Sequence, residues 1–330
     1  MKEMDPRPAA WMRCVPAICV TATVVIPTKD RADLIEETLT TILGLDYPAM
    51  EVIVVDQSRG EETRNIVHRL AEQDVRLRLV ASDTVGSSGA RNVGASFAAS
   101  EIVVYCDDDC IVSPHWLHAI AAEFCDPSVS AVYGRLLPYG KKQRDGREVG
   151  FKASLERQRF TSRTPPWYVG HGGNMAFRRS SLDAVGGFDP LLGAGGAFGS
   201  GEDSDIAYRL LAHGRTVAYN PAALSYHKRR KSWPQQQCTE RLYGIGAGAQ
   251  CGKYMREGDI YGAVLFFTWV WQLGMRRLGS GLLKQRSPRN VYLGYCQIIY
   301  PFLGLWRSRS YPLDRRRGVY RDDTNLYAHV

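Results

Sequence analysis

The sequence predicts an α/β fold: a Rossmann-like, mostly parallel sheet flanked by helices, followed by a helical, membrane-associated C-terminal region. Three observations carry this reading. Short apolar runs alternate with amphipathic stretches from residue 23 onward, the pattern of strands joined by crossover helices. One run, Ile102 to Cys106, ends in Asp107-Asp108-Asp109, and the C-terminal strand ends of an open α/β sheet are where ligands bind. The last third is basic and holds two uncharged runs rich in aromatic residues.

Taken in order, Thr23-Val24-Val25-Ile26-Pro27 is the first strand and Thr28-Lys29-Asp30-Arg31 the turn after it. Leu34, Ile35, Leu39 and Leu43 then recur at helical spacing. Glu51 to Asp56 is a second strand ending in an acid, residues 61–73 a helix, and Arg76 to Ala81 a third strand. Gly86-Ser87-Ser88-Gly89 opens a further helix. This turn lacks the Lys-Ser/Thr of a P-loop and the G-x-G-x-x-G spacing of a dinucleotide site, so both readings are rejected. A helix begins near Pro114, and residues 129–137 form another strand. Residues 138–166, rich in Lys, Arg and Gln, are expected to be an insertion over the site with a short helix around 152–160. A strand from Thr216 to Asn220 leads to Ser225-Tyr226-His227.

The 330 residues are 45% hydrophobic and 23% charged, which suits one large globular domain or two smaller ones. The net charge of +8 is uneven. Residues 1–227 hold 24 basic and 28 acidic side chains, net −4, and residues 228–330 hold 18 and 6, net +12. The basic third points to an anionic partner, membrane surface or nucleic acid. The eight cysteines show no zinc-type pairing and suit a reducing compartment. No secretory signal is visible before Thr21.

Three adjacent acids repel one another, so a nearby cation is the natural way to keep them ionised. Along an extended backbone Asp107 and Asp109 point to the same side, which suits a hard divalent ion shared with phosphate oxygens. By itself the triplet reads equally as an acidic turn.

Five features in order resemble the family 2 glycosyltransferases, with their GT-A fold, over roughly residues 21–245. They are Val-Ile-Pro-Thr-Lys-Asp-Arg, the strand ending at Asp56, the Asp107–Asp109 triplet, Gly-Gly-Asn-Met-Ala-Phe-Arg with Gly-Gly-Phe-Asp, and Gly-Glu-Asp-Ser-Asp. Each is weak alone; together, at these spacings, they are specific. The resemblance implies a nucleotide-sugar donor, with a UDP-sugar favoured, and a Mn²⁺ or Mg²⁺ cofactor. Pro27, Thr28, Asp30, Arg31, Asp56 and Arg91 would bind the donor, with Asp107 and Asp108 from the triplet. Asp107, Asp109 and His227 would hold the metal. Trp167, Gly173 and Asn174 would lie in the sugar and acceptor region. Asp203 would be the catalytic base beside Glu202, with Glu202 and Asp205 as possible substitutes. His227 alone is more often structural, and Trp167 and Tyr168 could equally stack on a sugar or pack under the insertion. Asp203 stands where a glycine-rich loop enters a helix, so the helix start is expected to keep it ionised.

The implied chemistry is coherent. Charge builds on the departing nucleoside diphosphate, and a divalent ion offsets it. A carboxylate on the opposite face takes the acceptor proton, and direct displacement inverts the anomeric centre. Processive relatives carry Gln-x-x-Arg-Trp after the base, whereas here Gln237 and Arg241 are four apart and Leu242 follows. A single addition is therefore expected. Two other classes fit less well. A sugar nucleotidylyltransferase needs a Gly-rich first loop with Arg, which Pro27-Thr28-Lys29-Asp30 does not supply. A non-catalytic membrane or nucleic-acid binder would not need the triplet, the Glu-Asp pair and His227, and no RNA-binding signature stands out.

The expected organisation is an N-terminal extension (1–20), a GT-A domain (21–230) with a nucleotide-sugar half to about 112 and an acceptor half after it, and a basic helical region (231–330). The uncharged runs Ile260 to Met275 and Asn290 to Trp306 would span about 24–26 Å as helices, short of a hydrocarbon core of about 30 Å. Arg276, Arg277, Lys284, Arg286 and Arg289 lie between them. Spanning would put this basic loop outside, against the positive-inside tendency. Interfacial helices on the cytoplasmic face fit better, with a glycan or lipid-linked acceptor and no nucleic-acid partner. The competing reading is a helical subdomain with an oligomer interface.

Overall fold

A computed structural model describes residues 20–139, 152–228 and 231–321. The extension and the 140–151 part of the expected insertion lie outside them.

Four parallel strands form one half of the sheet: β1 (Ala22–Thr28), β2 (Met50–Asp56), β3 (Leu77–Ala81) and β4 (Ile102–Cys106). The other half is mixed, with β5 (Cys110–Val112), β6 (Val129–Pro138), β7 (Gln158–Phe160), β8 (Asn174–Arg178) and β9 (Thr216–His227). The order is β3-β2-β1-β4-β8-β6-β9-β5, with β7 paired to β9. β8 runs antiparallel to β4 and places Asn174 opposite Cys106. β5 runs antiparallel to β9 and places Cys110 opposite His227. These two pairings bring distant segments to the end of β4.

Both sheet faces are covered, which is why the strands read as continuous apolar runs. Val24, Ile26, Val52 and Val104 pack under α1 (Ala32–Leu43), α2 (Glu62–Ala71) and α4 (Trp116–Phe124). Val25, Ile53, Val103 and Tyr105 pack under α3 (Gly86–Phe97), α5 (Arg179–Ala184) and α6 (Glu202–Ala212). The short helix expected near 152–160 is instead β7. Arg157 and Arg159 turn to Glu123 and Asp126, while the backbone between them pairs with β9.

Helix α7 (Trp233–Arg256) starts at a capping box made by Ser232 and Gln235. It crosses α10 (Pro288–Arg307) very closely. A Cβ at Gly248 would stand 1.9 Å from the Pro301 carbonyl oxygen, so only glycine permits the approach. Between them run α8 (Tyr261–Trp269), π-helical turns over Val270–Met275, α9 (Arg276–Gly279) and further π-helical turns over Ser280–Lys284. α8 and α10 lie side by side, with the Phe266 and Phe302 rings 4.9 Å apart. Among the described residues no helix is long and apolar enough to cross a membrane. The helices share apolar clusters with the sheet domain, Ile245 and Ala249 meeting Leu192 and Phe198.

Candidate active site

The triplet is not extended as the sequence reading expects: it forms a tight turn between β4 and β5, closed by Cys110 N donating to the Asp107 carbonyl at 3.2 Å. Asp107 and Asp109 face the site. Asp108 faces back into the protein, 3% exposed, where it accepts from Thr28 Oγ1 at 2.8 Å and from Arg31. Burial pushes its carboxyl up to about 7, against the pull of Arg31. The expectation that Asp108 contacts the donor is therefore corrected: it anchors the turn after β1, because the β4–β5 turn aims its side chain at Thr28 and Arg31.

Asp109 is almost fully buried, and its Oδ2 accepts from Arg31 at 3.0 Å. Its Oδ1 has no hydrogen-bond donor, although His227 Nε2 lies 3.2 Å away. His227 Nε2 is also 4.0 Å from Asp107 Oδ2. An orphaned buried carboxylate oxygen normally costs free energy, so the spot fits a missing cation. Asp107, Asp109, Cys110 and His227 offer ligand atoms within 4.8 Å of one another. Neighbouring ligands on an octahedral ion with bonds of about 2.1 Å stand about 3 Å apart, close to the Asp109–His227 separation. Cys110 is the poorly matched member: its buried, soft thiol suits a hard ion badly and turns to the Gly173 carbonyl at 3.8 Å. Two carboxylates and an imidazole remain, a donor set suited to Mn²⁺ or Mg²⁺.

Across the cleft, α6 begins after Gly201, whose φ of 97° suits glycine. Its first turn carries Glu202 and Asp203. Arg91, 3% exposed, donates to Glu202 Oε1 at 2.7 Å and to Asp107 Oδ1 at 3.2 Å. The guanidinium thus ties the acid pair to the triplet, and both carboxylates hold it firmly charged. Its Nε is buried without a partner. Asp203 is half-buried. Its Oδ1 accepts from Ser204 N at 2.7 Å and its Oδ2 from Gly172 N at 2.8 Å. Burial and then Glu202 push its carboxyl up to about 7, with Arg91 and the two backbone donors only partly offsetting them. The expectation that the helix start keeps Asp203 ionised is thus overridden by burial and like charge.

Asp205 is not an alternative base. It is fully buried and bonded to Arg209, Lys253 and Tyr254. Gly173 stands beside the triplet: a Cβ there would come 2.9 Å from Asp107 Oδ2. Asn174 is fully buried, donates to the Arg135 and Ala223 carbonyls, and accepts from Trp116 Nε1 at 2.9 Å. Its role is to join β6, β8 and β9, which corrects its assignment to the sugar region. Trp167 packs edge-on against Trp269, ring centroids 5.1 Å apart, toward α8. Its Nε1 is buried and unpaired.

The remaining donor-side residues form a second connected wall. Ser58 N donates to Asp56 Oδ1 at 2.9 Å, and Asp30 N donates to Ser58 Oγ at 2.7 Å. Asp30 sits at a φ of 52°, strain of the kind kept at ligand-binding turns. Pro27 precedes this turn, half-buried at the end of β1. Asp56 also pairs with Arg64 at 3.2 Å, a partner sequence reading missed. Nothing in the α2 pattern sets Arg64 apart from other surface arginines.

Residues 23–186 match the family described as Glycosyl transferase family 2. The chain is 29% identical over 282 residues to the pre-mycofactocin glycosyltransferase of Mycobacterium tuberculosis, covering 82% of this chain and 57% of that protein. It is 23% identical over 288 residues to the glucosyl-dolichyl phosphate glucuronosyltransferase of Haloferax volcanii, covering 85% and 84%. Its fold is similar to that of the mannosyltransferase PcManGT from Pyrobaculum calidifontis, solved with GDP-Man and Mn²⁺, with a TM-score of 0.60, 22% identity, and 88% and 87% coverage.

Proposed function

The chain belongs to glycosyl transferase family 2, and from that premise we propose that it moves one sugar from a nucleotide-sugar to an acceptor hydroxyl with inversion. The observation that carries the proposal is the Arg91 bridge between Asp107 and Glu202. It brings a metal-capable pair of carboxylates and a carboxyl poised near neutrality to one cleft.

In this mechanism Asp107, Asp109 and His227 would hold a Mn²⁺ or Mg²⁺ ion, whose Lewis acidity would offset charge on the departing diphosphate. The Asp56–Ser58–Asp30 wall receives the nucleoside. Arg91 fixes Asp107 and Glu202 in one frame and balances their charge. Asp203 Oδ atoms accept the acceptor hydroxyl proton as the new bond forms. A base with a pKa near the working pH is the effective choice. Gly172 N orients the carboxylate. Glu202, engaged by Arg91, raises the basicity of Asp203 through repulsion.

A membrane surface is the proposed site of action. Ile260, Val264, Phe267, Trp271 and Met275 are exposed along one side of α8 and its continuation. Tyr295, Ile299, Phe302 and Trp306 are exposed along α10 beside it. Trp271 is 61% and Trp306 67% exposed. Arg276, Lys284, Arg286 and Arg289 are exposed nearby. Apolar stripes with aromatic anchors and a basic rim suit the headgroup region of anionic lipid. The acceptor is then a glycan or a lipid-linked sugar at the cytoplasmic face. The deciding experiment is a panel of UDP-, GDP- and dTDP-sugars with Mn²⁺, read by release of nucleoside diphosphate. The UDP-sugar is expected to turn over, and no release from any donor would overturn the activity.

A further inference from the structure

Lys253 lies on α7, outside residues 23–186, and is fully buried. Its ammonium is 2.7 Å from Asp189 Oδ2 and 2.6 Å from Asp205 Oδ1. Asp205 also accepts from Arg209 Nε at 2.8 Å and from Tyr254 Oη at 2.9 Å. Asp189 also accepts from Tyr320 N at 2.9 Å. Two cations and two anions thus form a quartet that is almost completely buried. Burial tends to raise the Asp205 carboxyl, but Arg209 and Lys253 outweigh it and hold it below the usual range.

The quartet sits under the catalytic helix. Asp205 is in the same first turn of α6 as Glu202 and Asp203. The contact is reinforced at two more points on α7: Ser204 Oγ donates to Gln250 Oε1 at 3.2 Å, and Ser200 Oγ donates to the Leu242 carbonyl at 2.8 Å. A buried charge that loses its partner cannot relax into water, so the position of Lys253 dictates that of Asp205. A rigid helical turn carries that constraint to Asp203.

We propose that Lys253 is a positioning residue: through Asp205 it holds the first turn of α6, and with it Asp203, in the geometry needed for proton removal. The C-terminal helical region is therefore part of the catalytic apparatus and not only an anchor. The inference rests on reading Asp203 as the base. Misplacing a reacting group by about 1 Å can cost about 100-fold in rate, and donor binding, which lies at Asp56 and the β4 end, is left alone.

The test compares three variants of the full chain by melting temperature, kcat and donor KM. Lys253→Met is expected to lower both stability and kcat. Lys253→Met/Asp189→Asn removes one charge of each sign, so it should regain much of the lost stability while kcat stays at least about tenfold down and donor KM moves less than about twofold. Asp189→Asn alone keeps the Lys253–Asp205 contact, so it should lose stability without losing kcat. Recovery of kcat together with stability in the double variant would overturn the proposal. So would an equal loss of kcat in Asp189→Asn, which remains measurable if the other two variants fold poorly. Asp203→Asn, assayed in parallel, separates the two readings: if it turns over normally the base assignment is wrong, whatever the Lys253 variants do.

Discussion

Arg91 and Glu202 form a buried ion pair, Nη1 to Oε1 at 2.7 Å, that spans from the helix after β3 to the start of α6. The same guanidinium holds Asp107, so one side chain sets the distance between the two halves of the cleft. Replacing it with methionine strands two carboxylates. The expected stability loss is about 3–5 kcal/mol, measured by denaturant unfolding. Arg91 also lowers the Asp203 carboxyl, so in Arg91→Met the acid limb of the pH–rate profile should move to higher pH.

The pH profile of the unaltered protein is itself diagnostic. Asp203 is held up to about 7 and must be deprotonated to accept a proton. Turnover should rise with pH through about 7 and fall about tenfold for each unit below it. A profile flat down to pH 5 would exclude this carboxyl as the base.

Chelation tests the cation. EDTA should abolish transfer and added Mn²⁺ should restore it. Asp109→Ala and His227→Ala should weaken donor binding together with turnover, because metal and diphosphate bind as a unit. Full activity in exhaustively chelated buffer would remove the metal from the mechanism.

Gly173→Ala places a methyl 2.9 Å from Asp107 Oδ2, closer than such contacts normally come. The carboxylate must move, so metal affinity should drop by at least about tenfold with the fold intact, read by Mn²⁺ titration of activity.

Vesicles test the surface. The chain should sediment with anionic liposomes at low salt, and high salt should release only part of it, since apolar insertion is not screened. Trp271→Ser with Trp306→Ser should abolish the salt-resistant fraction. A chain that stays in solution beside such vesicles would contradict the membrane reading.

The sequence made the parallel half of the sheet legible because both faces are buried, and runs such as Val52 to Val55 have no competing interpretation. Asp107, Asp109 and His227 were legible as a group only through their order in a familiar set of motifs. What unites them physically is the Cys110–His227 register of β5 and β9, a long-range pairing that no local pattern encodes. Asn174 and Asp108 read as ligand contacts in the sequence for one reason: a polar residue inside a motif can serve either the ligand or the fold, and only burial decides which. Lys253 left a faint signal, a cation directly after the glycine- and alanine-rich stretch Gly244 to Gly252. A charge there needs a buried partner, but its identity came only with the packing of α7 on α6.

The most direct test of the account is Asp203→Asn beside Glu202→Gln, with turnover measured together with calorimetric binding of the nucleoside diphosphate. Asparagine keeps the shape and loses the basicity. General base catalysis contributes about 10²–10⁴-fold, so turnover of Asp203→Asn should fall by about that much while diphosphate binding changes little. Glu202→Gln should be milder. Turnover near the unaltered level in Asp203→Asn, with the protein folded and the diphosphate bound, would contradict the central claim.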